Sequence, residues 1–192
     1  MAKLNQDCIL LVTTCVVSLC VVACDSKSQD ASNNPERTTN QDNSATKTLP
    51  TDLFTSTPIA EARGVAEVKS DEAASGDVVI TGRVGGRAEP FVDGAAVFIL
   101  TDSALKSCDQ IHGDKCQKPW DYCCETRESL IAYTATIRVT GADGKPLQLN
   151  IKDERGLAPL ATVTIAGTIS THEDNQLVID AKQIYVEGES KS

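Results

Sequence analysis

The sequence is poor in aromatic residues, in positive charge and in long apolar runs. Three Phe, three Tyr and one Trp among 192 residues leave little material for a large aromatic-lined pocket or a base-stacking platform. Lys and Arg number 18 against 27 Asp and Glu, a net charge of −9, which disfavours nucleic acid as a partner because phosphate binding needs clustered cations. The uncharged run at residues 9–23 falls short of the roughly 20 apolar residues a membrane-spanning helix needs. No P-loop, no Gly-rich phosphate loop, no Ser/His/Asp order and no Cys-x-x-Cys is found. The chain therefore reads as a non-enzymatic protein. What it does have is a hydrophobic content of 41% and eight cysteines in two groups.

The first group lies at the start. Lys3 precedes ILLVTTCVVSLCVVA at residues 9–23, a positive start and a short apolar run. Together they describe an export signal over residues 1–23. The run ends Val21-Val22-Ala23-Cys24, which resembles the bacterial lipobox, with a small residue before the cysteine that becomes acylated. The resemblance implies that Cys24 carries lipid, that the bilayer is a partner through it, and that the protein sits in a bacterial cell envelope on the periplasmic or outer side. Asp25 resembles the inner-membrane retention residue of some lipoproteins, and the choice of membrane stays open.

Residues 25–48 are polar apart from Ala31 and Ala45. Such a stretch cannot bury enough surface to offset its ordering entropy. The tether is expected to run over residues 24–75; Leu53, Phe54 and Ile59 either dock on the domain or are sticky points along it, and residues 60–75 have the composition of a weak helix that Gly64 interrupts.

From Gly76 the pattern changes. Val78, Ile80, Gly82 and Val84 alternate on one face until Gly85-Gly86. AAVFIL at 95–100 suits a buried strand, and residues 131–139 alternate from Ile131 to Val139. Leu147, Leu149 and Ile151 continue the alternation after the Asp143-Gly144 turn. Residues 161–169 alternate most cleanly, and 176–187 form a last strand whose phase slips between Ala181 and Ile184, the mark of a bulge. The turn before it holds His172, which reads as solvent-exposed. Five or six strands with short connections predict an all-β fold, a small barrel over residues 76–192. VVITGRV, VFILTD, ATIRV, VTIAGTI and QLVIDAKQIYV resemble a small bacterial OB-fold domain, with Gly82 and Gly167 at recurrent glycine positions.

The second cysteine group fills an insertion between the second and third predicted strands, residues 103–128, with Cys108, Cys116, Cys123 and Cys124, one of two histidines and the only tryptophan. Its Pro119-Trp120-Asp121-Tyr122-Cys123-Cys124 run resembles a signature of uncharacterised exported bacterial proteins. In an exported chain, clustered cysteines form disulfides. Adjacent cysteines make a strained ring, so Cys123 and Cys124 are expected to pair separately with Cys108 and Cys116, in either of two connectivities. The alternative is a copper or zinc site from Cys108, His112, Cys116 and Cys123 or Cys124. In a helix the first three would share one face. Otherwise no cofactor is expected. Trp120 and Tyr122 either cap the barrel or stack on a ligand, and the partner is an envelope protein or a small ligand.

Overall fold

The computed structural model describes residues 48–188. The expected signal, the expected acylation site Cys24 and the expected tether up to residue 47 lie outside the described residues. The strands are β1 (Arg63–Gly64), β2 (Gly76–Val84), β3 (Val97–Thr101), β4 (Thr134–Arg138), β5 (Thr162–Glu173) and β6 (Gln176–Val186). Two short helices, α1 (Val65–Ser70) and α2 (Arg127–Tyr133), precede β2 and β4.

The sheet closes on itself. β2 pairs with β3, β3 with β4 and β6 with β5, all antiparallel, while β4 and β6 run parallel. β5 then returns antiparallel to β2 over Gly76–Arg83, completing a small all-β, OB-like barrel with a cysteine-rich insertion. β1 adds a short parallel pairing to β2 at Ile80 and Thr81. Alternation decides which side chains enter. In β2, Ile80, Gly82 and Val84 are buried, and in β5 the buried set is Val163, Ile165 and Gly167. Phe98, Leu100, Ile137, Ile179 and Ile184 complete the centre of the core.

Two glycines let strands approach closely. A Cβ on Gly82 would lie 2.5 Å from the Thr101 carbonyl oxygen, and one on Gly167 would lie 2.5 Å from that of Asp180. The expected bulge is present: Ala166 faces Gln183 while Gly167 faces Ala181, so Lys182 is the extra residue. The β5–β6 hairpin turns through Asp174 and Asn175, both with left-handed backbone, as a two-residue turn between twisted strands requires.

The domain begins well before residue 76, a correction to the expected tether. Leu53, Val65 and Val68 are buried within the same core as the barrel strands. The Leu53 carbonyl accepts the Ile184 N–H at 2.7 Å, and the Thr55 N–H returns to the Ile184 carbonyl at 3.0 Å. The reason is tertiary. Val65 and Val68 make one buried face in a six-residue helix, too short for a visible repeat. Its first turn is held by Asp102, whose Oδ2 accepts the Ala66 N–H at 2.9 Å. Gly64 is needed here, since a Cβ would lie 2.7 Å from that carboxylate.

Three further expectations differ. Residues 127–133 are helical, with Thr126 accepting the Ser129 N–H at 3.1 Å as an N-cap, so only the latter part of the predicted third strand is β. Leu147 to Ile151 form no strand; Thr140 and Pro146 make an isolated bridge, and Ile151 enters the core individually. His172 is half-buried, with Nδ1 3.2 Å from the Ala74 carbonyl and Nε2 3.2 Å from the Lys69 carbonyl. Among the described residues no helix is long and apolar enough to cross a membrane.

Candidate functional site

The cysteine loop leaves β3 at Asp102 and returns at the cap of α2. Its first turn is a 3-10 segment, Cys108–Gln110, capped by Ser107, whose backbone N–H donates to Gln110 Oε1 at 3.1 Å. Arg83 of β2 fixes this turn to the barrel by bonding to Ser107 Oγ and pairing with Asp109 at 3.3 Å. Burial pushes the Asp109 carboxyl up, but Ser107 and then Arg83 together outweigh it and hold the group below its ordinary range.

The return half is anchored by Tyr122. Its backbone is left-handed and its side chain is fully buried. Gly85 and Gly86, read in the sequence as a strand stop, form its seat. The Gly86 N–H donates to the Trp120 carbonyl at 2.8 Å, and a Cβ on Gly85 would lie 2.6 Å from that oxygen and 2.8 Å from the tyrosine ring. Burial pushes the Tyr122 phenol up. Tyr122 therefore caps the barrel and presents no face to a ligand, which removes it from the stacking pair. Trp120 stays half-buried at the edge, its Nε1 donating to the Ala88 carbonyl at 3.1 Å.

This double anchoring brings all four sulfurs of the loop together. Cys116 and Cys123 Sγ lie 3.2 Å apart, Cys108 and Cys123 3.7 Å, and Cys108 and Cys124 4.0 Å. All four are free thiols, with Cys108 buried and Cys123 and Cys124 exposed. Asp114 joins them: one oxygen accepts the Cys116 N–H at 2.6 Å and the other accepts the Cys124 thiol at 3.1 Å. These bonds lower the Asp114 carboxyl. The same carboxylate, with a smaller effect from Cys108, pushes the Cys124 thiol up to about 11. Hydrogen bonds with Cys116 and Cys108 push Cys123 up as well. Near neutral pH both thiols thus hold their protons, the opposite of an activated nucleophile.

Two groups have ligand atoms within 4.8 Å of one another: Cys108 with Cys123 and Cys124, and Cys108 with Asp114 and Cys116. His112 is in neither, a correction to the ligand set expected from the sequence. The 3-10 turn ends at Gln110, and His112 sits exposed in the following turn, where Gly113 adopts positive φ. The helical face that would have aligned it with Cys108 and Cys116 is never built. Asp114 takes that place. Its sequence signal was an Asp two residues before a cysteine, the spacing at which a carboxylate caps its own turn.

No family model matches the chain, and no curated protein matches it. Among solved structures it is similar to the hypothetical protein ygiW from E. coli, at 16% identity and a TM-score of 0.33, over 70% of this chain and 95% of that one. The barrel assignment rests on the strand pairings above and not on this likeness.

Proposed function

We propose that the chain is a lipid-anchored binding module of a bacterial envelope, held to the bilayer through acylated Cys24, with its cysteine loop locked by two disulfides. The observation that carries the loop reading is the meeting of four sulfurs from one insertion on a barrel edge. Pairing Cys116 with Cys123 and Cys108 with Cys124 joins two pairs already in contact, at 3.2 and 4.0 Å. The other allowed connectivity draws on only one such contact, Cys108 with Cys123 at 3.7 Å. Each bond forms as two thiols lose two protons and two electrons to a disulfide oxidant of the envelope. A bridge closing a loop of about 15 residues contributes roughly 3 kcal/mol in the chain-entropy model.

A second reading has its own observation. Tetrahedral zinc with bonds of about 2.3 Å sets its sulfurs about 3.8 Å apart. Contacts of 3.2, 3.7 and 4.0 Å bracket that edge. In this reading Cys108, Cys123 and Cys124 hold zinc or copper, with Cys116 and Asp114 as neighbours.

One experiment separates the two. The full chain is exported in a bacterial host, recovered from membranes, and its free thiols and bound metal are counted by mass spectrometry. No free thiol among the loop cysteines and no metal is expected. One zinc or copper per chain, retained in His112→Ala and lost in Cys123→Ser, would replace the disulfide reading with the metal one. The anchor is tested by Cys24→Ser, which should move the protein from the membrane to the soluble fraction; unchanged membrane association would sink it.

A further inference from the structure

Trp120 of the cysteine loop borders a cleft of about 360 Å³. That volume is within the range of small-ligand pockets, about 300–1,000 Å³. Three segments that are distant in sequence form it: residues 89–93 between β2 and β3, Trp120 of the cysteine loop, and residues 150–159 before β5.

Its apolar part is anchored. The Phe91 ring stacks at 5.8 Å on Phe98 of the core, and Pro90 beneath it is buried. The Trp120 N–H is engaged by Ala88, so the indole offers the cleft carbon surface only. An ion pair from Lys118 to Glu89 ties the cysteine loop to the opposite wall and helps hold the Glu89 carboxyl below its ordinary range.

The rim is polar and mixed in kind. Asp93, Lys152 and Asp153 border the cleft, and their side chains make no hydrogen bond among the described residues. Asn150 Oδ1 accepts the Gly94 N–H at 2.9 Å, which leaves its amide N–H groups as donors. A fixed carbon surface ringed by donors and acceptors of both kinds matches a ligand with apolar C–H faces and hydroxyl edges. With Glu89 paired to Lys118, the two carboxylates of Asp93 and Asp153 against the one ammonium group of Lys152 repel a phosphate. A wholly apolar ligand would strip water from those carboxylates without replacing it.

We propose that this cleft is the ligand site of the module and that it takes an uncharged saccharide, stacked on Trp120. The proposal rests on the binding-module reading but not on the state of the four sulfurs.

Trp120 is the only tryptophan, so its emission reports on the cleft without a label. The full chain, in a detergent without a sugar headgroup, is titrated with a soluble N-acetylglucosamine oligosaccharide and co-sedimented with isolated cell-wall glycan. A proline-rich peptide and inorganic phosphate serve as rivals. Asp93→Ala and Lys152→Ala are the test variants, because both residues are exposed and neither supports the fold. A saturable emission change with the oligosaccharide, weakened at least tenfold by the paired variants at unchanged Tm, supports a free saccharide. Co-sedimentation alone, lost in the same variants, supports the polymer as source. No saccharide response, a response unmoved by the variants, or a response only to peptide or phosphate overturns the proposal. Thiol and metal counts on the same preparation show separately whether the loop reading has failed.

Discussion

Asp114 accepts the Cys124 thiol at 3.1 Å, and that one contact ties the acidity of the loop to its architecture. The carboxylate keeps Cys124 protonated, up to about 11. Asp114→Asn removes the charge and should lower that value, so in the reduced chain Cys124 should alkylate faster at pH 8–9, about tenfold per unit of fall. The linkage has a definite sign. A thiol raised on folding contributes stability below its unfolded value near 8.5 and loses it as pH rises through the folded one. The reduced chain should therefore weaken between about pH 8.5 and 11, and Asp114→Asn should flatten that decline. An alkylation rate unchanged by the substitution would count against the contact.

Leu53 distinguishes a core residue from a tether residue. Leu53→Ala should cost about 2–5 kcal/mol in urea unfolding, the range for truncating a buried leucine. A residue on a free tether would cost almost nothing. Phe54, half-buried beside it, should show a smaller loss.

His172 tests the same boundary from the far side. Its ring lies between the carbonyls of Lys69 and Ala74, and a neutral imidazole donates its one N–H to either of them. Removing that bond in His172→Ala should cost about 1 kcal/mol and raise amide hydrogen exchange in residues 65–74. An exchange pattern identical to the parent's would mean the imidazole holds nothing.

Gly85 is the seat of the loop. Gly85→Ala drives a methyl group against the Trp120 carbonyl and the Tyr122 ring, and overpacking of this kind costs about 1–3 kcal/mol. Trp120 emission should shift red as the loop lifts. An unshifted spectrum with unchanged Tm would show that the seat yields without cost.

Under oxidising conditions Cys116→Ser should lower stability by about 2.5 kcal/mol, the value for a loop of about eight residues, and by far less in reductant. Equal losses in both conditions would argue against a bridge at Cys116.

The barrel was legible because its signal is local. Alternation in β2 and β5, the slip in β6 and the glycines at 82 and 167 are all properties of neighbouring residues. The start of the domain was not, because Val65 and Val68 matter only once Asp102 and the barrel are in place. The loop was legible as a cluster and not as a ligand set. Four cysteines predicted convergence, but the spacing that favoured His112 assumed α-helical geometry, and the chain takes one 3-10 turn and then a glycine turn. Of the two roles open to Tyr122, capping and stacking, the fold takes the first, because a left-handed backbone turns its ring inward. Nothing in the residues around it announces that conformation.

The Leu53–Ile184 pairing sets an order of events. A chain delivered from its N-terminus, whether by a ribosome or through a membrane pore, presents Leu53 long before Ile184 exists to receive it. β2 likewise waits for β5 across some eighty residues. Until β6 arrives, every strand of the ring has an open neighbour or an open face, and contacts so distant in sequence form slowly. The early half of the molecule therefore stays pliable until the late half is present to close the ring.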